Sequence, residues 1–260
     1  MRRVEPFLIL ISGLGSFIIL FLFVPIVSLF AMLDPQILAE VFTSPMYVDE
    51  VRRAFITTFL ASGLSTAILL LCGIPLAYIL ARYSFPGKTT IESILDIPLM
   101  IPHAVAGIMV LTAFGKRGLL GALTTSLGLA VDDSFWGIVA VMAFVSAPIM
   151  IDTVRAGFSS VDPMLEAVAR SLGASQARVL ATVTLPLAYR SILAGTILSW
   201  ARALSEVGAI IVVAYYPKTI NVLILEYLNV YGLGYAIALA IPLTLLALAL
   251  FIALRTVTRR

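Results

Sequence analysis

The stretch "LEAVARSLGASQARVLATVTLPLAYR", residues 165–190, decides how the rest of the chain is read. It is polar, helix-forming and closes towards Leu185 and Pro186, yet the chain around it is 61% hydrophobic and only 12% charged. The mean hydropathy is +1.10. Soluble globular domains carry about one charged residue in four, so this balance excludes one and gives an integral membrane protein.

A helix needs about twenty apolar residues to cross roughly 30 Å of hydrocarbon. Six runs meet that length, at about residues 7–32, 55–80, 94–114, 135–151, 187–215 and 235–254. The fold class expected is an all-α membrane protein, a single transmembrane domain over residues 1–260 with both termini on one side. The first run follows "MRRVEP" and is much longer than the apolar core of a secretory signal, so it reads as a retained helix. The single cysteine, Cys72, sits among Leu and Gly and reads as apolar packing, with no second thiol for a disulfide or metal cluster.

Counting cations orients the bundle. The termini and the loops after the second and fourth runs hold Arg2, Arg3, Arg82, Lys88, Arg155, Arg170, Arg178, Arg190, Arg255, Arg259 and Arg260, which is eleven. The other side holds Arg52, Arg53, Lys116, Arg117 and Lys218, which is five. The excess puts both termini and residues 165–190 in the cytoplasm. No internal repeat is visible, which weighs against a secondary transporter built from inverted halves.

Within the cytoplasmic segment, Asp162 is placed as an N-cap, Pro163 at the first helical position and Glu166 in the first turn. Gly173 lets the backbone turn, and a second helical stretch runs to Leu185 and Pro186, read as the point of return to the membrane. Met164, Leu165, Val168 and Leu172 share one helical face with nothing in so short a loop to cover them. Two coverings are open at this point: the inner leaflet, helped by Arg170 and Arg178, or a cytoplasmic partner.

The spacing of Gly173, Val183, Leu185 and Pro186 resembles the cytoplasmic "EAA" loop of binding-protein-dependent ABC importer permeases, which reads Glu-Ala-Ala, three residues, Gly, nine residues, Ile, one residue, Leu-Pro. At the start of that pattern, Ala167 stands where the family most often has Glu, with Glu166 one residue earlier and Val168 and Ala169 in place of the alanine pair. The resemblance implies a coupling loop over 159–186 that inserts into a separate ATPase subunit. Leu165, Glu166, Ala167, Ala169, Leu172, Gly173, Ala174 and Pro186 are its candidate coupling residues. It also implies a permease core over 55–255, preceded by a first helix and external loop over 1–54.

Two further stretches, "IPLMIPHAVAGIMVLTAFGKRGLLG" at 97–121 and "WARALSEVGAIIVVAYYPKT" at 200–219, resemble the molybdate/tungstate branch, with sulfate permeases close by. What this implies is import of molybdate or tungstate, or of sulfate or another oxyanion, by a homodimer in a prokaryotic plasma membrane. Two copies of an ATP-binding subunit would carry ATP and Mg, and an extracytoplasmic oxyanion-binding protein would supply selectivity. No cofactor, catalytic residue, metal site or nucleic-acid contact is expected on this chain itself. The rival class is an ion-coupled secondary transporter.

Arg202 and Glu206 stand at i and i+4 in an apolar run, about 18 and 24 Å along a helix from Arg190. Charges at such depth are expensive and turn to the bundle interior. Two readings stay open: a neutralising pair that holds helices together, or a translocation path or gate. Other motifs are set aside. "FPGKTT" at 85–90 has Arg82 where a phosphate loop needs Gly and reads as a turn. The lone histidine, His103, follows Pro102 and reads as part of a helix break. Gly63, Ser65, Thr66, Gly73 and Pro75 read as close helix packing.

Overall fold

The computed structural model describes the backbone of residues 6–258 and the side chains of residues 11–256. The basic termini Arg2, Arg3, Arg259 and Arg260 lie outside the described residues. Among the described residues there is no strand. In chain order the helices are α1 (Pro6–Ala31), α2 (Pro35–Thr43), α3 (Val48–Arg82), α4 (Lys88–Met100), α5 (His103–Phe114) and α6 (Gly121–Ser126). There follow α7 (Phe135–Ser160), α8 (Pro163–Ser171) and α9 (Gln176–Val179), then a π-helical turn, Leu180–Thr184. The last are α10 (Leu185–Leu204), α11 (Gly208–Val213), α12 (Ile220–Val230) and α13 (Leu233–Thr258).

Five helical stretches are long and apolar enough to cross a membrane: Ile11–Ala31, Val48–Arg82, Phe135–Ser160, Gln176–Leu204 and Leu233–Thr256. The remaining expected run, 94–114, is divided between α4 and α5. Its break has a local cause. Pro102 has no N–H to give the helix and forces Ile101 out of the helical region, to φ −85° and ψ 149°.

The fifth run departs from expectation twice. Pro186 does not end a helix: α9, the π turn and α10 form one rod from Gln176 to Leu204, with the proline in the first turn of α10, where its missing N–H is harmless. The rod then stops at Leu204, well short of residue 215, and residues 205–207 separate it from α11. The helix α12, absent from the sequence reading, fills the interval before α13.

The chain divides into two compact units. The smaller holds the residues up to Asp49 with Ile224–Leu245. In it Tyr47 makes edge-to-face contacts with Tyr227 and Tyr231 at ring-centroid distances of 5.8 and 5.5 Å, and Tyr235 donates its hydroxyl proton to Glu40 at 3.0 Å. The larger unit, Glu50–Leu223 with the C-terminal residues from Leu246, is organised around α7. One face of α7 buries Ile138, Met142 and Val145 against α5, α10 and α11. Further along, Met150, Val154 and Phe158 pack with Tyr78 and Leu80 of α3 and Ala188 of α10.

Candidate functional site

The sequence-predicted site residues fall at two places in the larger unit: the junction around α8, and the pair of helix breaks beside His103 and Glu206.

At α8, the caps form as the sequence dictates. The Asp162 carboxylate accepts from the Met164 N–H at 2.8 Å, and Pro163 opens the helix. At the other end the Ala174 N–H reaches the Ala169 carbonyl at 3.2 Å and the Gly173 N–H reaches Arg170 at 2.9 Å. That pair of bonds requires a left-handed residue between them, and Gly173 supplies it at φ +87°. Met164, Leu165, Val168 and Leu172 are all exposed, Leu172 at 83%. Ala167 is exposed and Ala169 and Ala174 half-buried.

Glu166 points the other way, into its own chain. Its Oε1 accepts from Arg82 Nε at 2.9 Å and from the Thr184 hydroxyl at 2.8 Å, and Arg82 Nη2 lies 2.8 Å away. Arg82 Nη2 also donates to the Val161 carbonyl at 2.9 Å. Gln176 adds a hydrogen bond to the Tyr83 hydroxyl. The end of α3, the start of α8 and the π turn are thereby fastened through one carboxylate. The π turn is what brings Thr184 to it, and such turns occur often at functional places. Close by, Arg155 of α7 bonds Glu92 of α4 at 2.5 Å and Asp152 at 3.1 Å.

The second place lies where the α4/α5 break meets the α10/α11 break. Glu206 falls in the gap after α10, not within an unbroken helix as its i,i+4 spacing to Arg202 suggested. Its side chain is fully buried. Oε2 receives Arg202 Nη1 at 2.9 Å and His103 Nδ1 at 2.7 Å, while Oε1 accepts from the Ala209 N–H at 2.9 Å and so caps α11. Asn221 of α12 donates to the carbonyls of Leu204 and Glu206, at 2.6 and 3.0 Å, and satisfies the freed end of α10. Glycines permit the close approach: a Cβ on Gly107 would meet the Ala209 carbonyl oxygen at 2.7 Å, and one on Gly208 would meet His103 Cβ at 2.8 Å.

The structure therefore brings Arg202 and Glu206 together as expected and adds His103, which sequence reasoning assigned only to a break. Its signal was available in one respect. A lone imidazole in an apolar run calls for a polar partner, and the chain offers a deep carboxylate. Arg82, Thr184 and Asn221 gave no local signal, since their partners lie far off in sequence.

Comparisons with known proteins fit this architecture. The family of binding-protein-dependent transport system inner membrane components matches residues 73–260. The molybdate/tungstate transport system permease protein WtpB of Thermococcus kodakarensis is 43% identical over 262 residues, covering 100% of this chain and 99% of that protein. WtpB of Methanocaldococcus jannaschii is 41% identical over 252 residues, 96% of each. A solved bacterial ABC transporter that imports the acidic polysaccharide alginate shares the fold, with a TM-score of 0.72 at 22% identity over 98% of this chain and 96% of the solved one.

Proposed function

This chain belongs to the family of binding-protein-dependent transport system inner membrane components, and we propose that it is the membrane-spanning permease through which molybdate or tungstate enters a prokaryotic cell. The observation that carries the substrate is identity of 41–43% with WtpB proteins along essentially the whole chain. As a permease it carries no catalytic centre of its own. ATP and Mg belong to two copies of a cytoplasmic ATPase, and an extracytoplasmic protein delivers the anion.

In this reading the chain crosses the membrane six times as half of a homodimer, the divided α4 and α5 making one crossing, with both termini and α8 in the cytoplasm. α8 is the coupling helix. Its exposed row of Met164, Leu165, Val168 and Leu172 seats in the ATPase, and an apolar face that size needs such a cover. Glu166 faces inward and holds α8 to the bundle through Arg82 and Thr184. ATP-driven closure of the ATPase pair moves α8, and with it α3 and α10, and hydrolysis resets them.

Arg202 and Glu206 belong to the translocation path. A dianion held by many donors would not leave, and a path that offers one arginine beside a neutralising glutamate binds weakly enough for passage. Selection between anions then falls to the binding protein.

The decisive test reconstitutes the permease with its ATPase and binding protein in liposomes and follows tungstate and molybdate uptake. Uptake that requires ATP and the binding protein, and that survives collapse of ion gradients, is the expected result. Uptake without ATP that follows an ion gradient would make the chain a secondary carrier instead.

A further inference from the structure

The Glu206 carboxylate accepts hydrogen bonds and cannot donate them, so its 2.7 Å approach to His103 Nδ1 fixes the proton on that nitrogen. Arg202 Nη2, 3.2 Å from the same Nδ1, then faces another donor and is left to bond elsewhere. The imidazole is not enclosed: the His103 side chain is 56% exposed and Arg202 21%, against 0% for Glu206. The partly exposed imidazole, whose Nε2 has no part in the Glu206 contact, thus lies beside the Arg202 guanidinium, 3.2 Å from Nδ1.

Depth places this opening. His103 opens α5 directly after the Pro102 break that divides the 94–114 run, so in the crossing read above it stands within the membrane and not at either face. An open polar group at that level faces a passage or a second copy of the chain, not lipid. Among the described residues the charged groups in contact with it are Glu206 and Arg202. α5 and α11 carry none, and the charges of α4 and α7, Lys88, Glu92, Asp96, Asp152 and Arg155, cluster towards the α8 end.

We propose that His103 Nε2 and Arg202 form the contact that hands a tetrahedral dianion across the membrane, with Glu206 as the residue that positions both. The inference rests on the oxyanion reading given above. With a neutral His103 the three groups sum to zero charge, and Nε2 presents a lone pair that repels an anion oxygen. Protonated, the same imidazole adds one positive charge and an N–H at Nε2. Two copies of the chain then supply two charges to match the two on the anion. Proton uptake at His103 accompanies arrival of the anion, and release accompanies its departure, so the contact is strong only while it is occupied.

The test uses the complete transporter in liposomes, with molybdate uptake and ATP hydrolysis measured from about pH 5.5 to 8, where imidazole changes charge. Compared are the wild type, His103→Gln and His103→Phe. Gln keeps a neutral amide that can bond Glu206, and Phe removes the contact. Uptake per ATP by the wild type should fall as pH rises, while the Gln variant loses that slope. The Phe variant should be slower by about tenfold at the acid end, the worth of one charge-assisted hydrogen bond. Should the Phe variant fail to fold, the Gln variant decides by its slope, which a merely structural histidine would leave unchanged. Wild-type uptake and pH profile in both variants would overturn the role of His103 and leave the oxyanion reading standing. Failure of the wild type itself to take up molybdate, tungstate or sulfate with ATP would overturn the oxyanion reading and this inference with it.

Discussion

Replacing Arg82 or Glu166 should release α8 from its seat, and the structure sets the size of the effect. The pair is well shielded, with side-chain exposures of 10% for Arg82 and 14% for Glu166. Its bonds are charge-assisted, at 2.9 Å from Nε and 2.8 Å from Nη2 to the same oxygen. A hydrogen bond to a charged group contributes about 1.5–3 kcal/mol, so Glu166→Ala should weaken the seating by about 2–3 kcal/mol. At about 1.4 kcal/mol per factor of ten, opening of α8 becomes about 30- to 140-fold more frequent. Arg82→Ala should cost about as much, since it loses the bond to the Val161 carbonyl where Glu166→Ala loses that from Thr184. Amide hydrogen exchange across α8 in nanodiscs reads the opening directly. A double-mutant cycle cancels the separate bonds to Thr184 and Val161 and should leave a coupling of about 1.5–3 kcal/mol. Exchange that is unchanged in either single variant, or strictly additive in the double one, would refute a latch between α3 and α8.

Three further outcomes are expected. Gly173→Val forces a β-branched residue to φ +87°, where an L side chain costs about 1–2 kcal/mol or more; ATP consumed per anion transported should rise while thermal stability of the spans holds. Glu206→Ala strands Arg202 without its carboxylate and should destabilise the protein by about 3–5 kcal/mol in detergent unfolding, whereas Arg202→Met combined with Glu206→Met should be milder than Glu206→Ala alone. Gly107→Ala puts a Cβ 2.7 Å from the Ala209 carbonyl oxygen and should cost about 1–3 kcal/mol by prying α5 from α11, seen as a lower melting temperature.

What the sequence made legible was whatever a few consecutive residues decide. Asp162 and Pro163 start α8, Gly173 ends it, and Pro102 breaks the third run because its ring acts on its immediate neighbours. Arg202 and Glu206 were paired by spacing alone. Their meeting is real, but the helix beneath them stops at Leu204, because the Glu206 carboxylate turns to cap α11 and Asn221 takes up the carbonyls left behind. His103 joins them across about a hundred positions, and Arg82 meets Glu166 across about eighty, separations at which a single sequence carries no pairing information. Pro186 misled for a related reason. A proline in a first helical turn and one that closes a helix look alike until the preceding π turn is known.

The length of α3 has a mechanical consequence. Its 35 residues make a rod of about 52 Å, longer than the bilayer is thick. One end is riveted by Arg82 to α8. Near the other, Glu50 grips Lys218 at 2.8 Å, and between them Thr58 and Ser62 take bonds from Ile220 and Trp200. Were such a rod to tilt by about 10° about its midpoint, each tip would be displaced by about 4–5 Å in opposite directions. A push delivered at one end would then be felt at the other as a pull, without any signal having to pass from one side chain to the next.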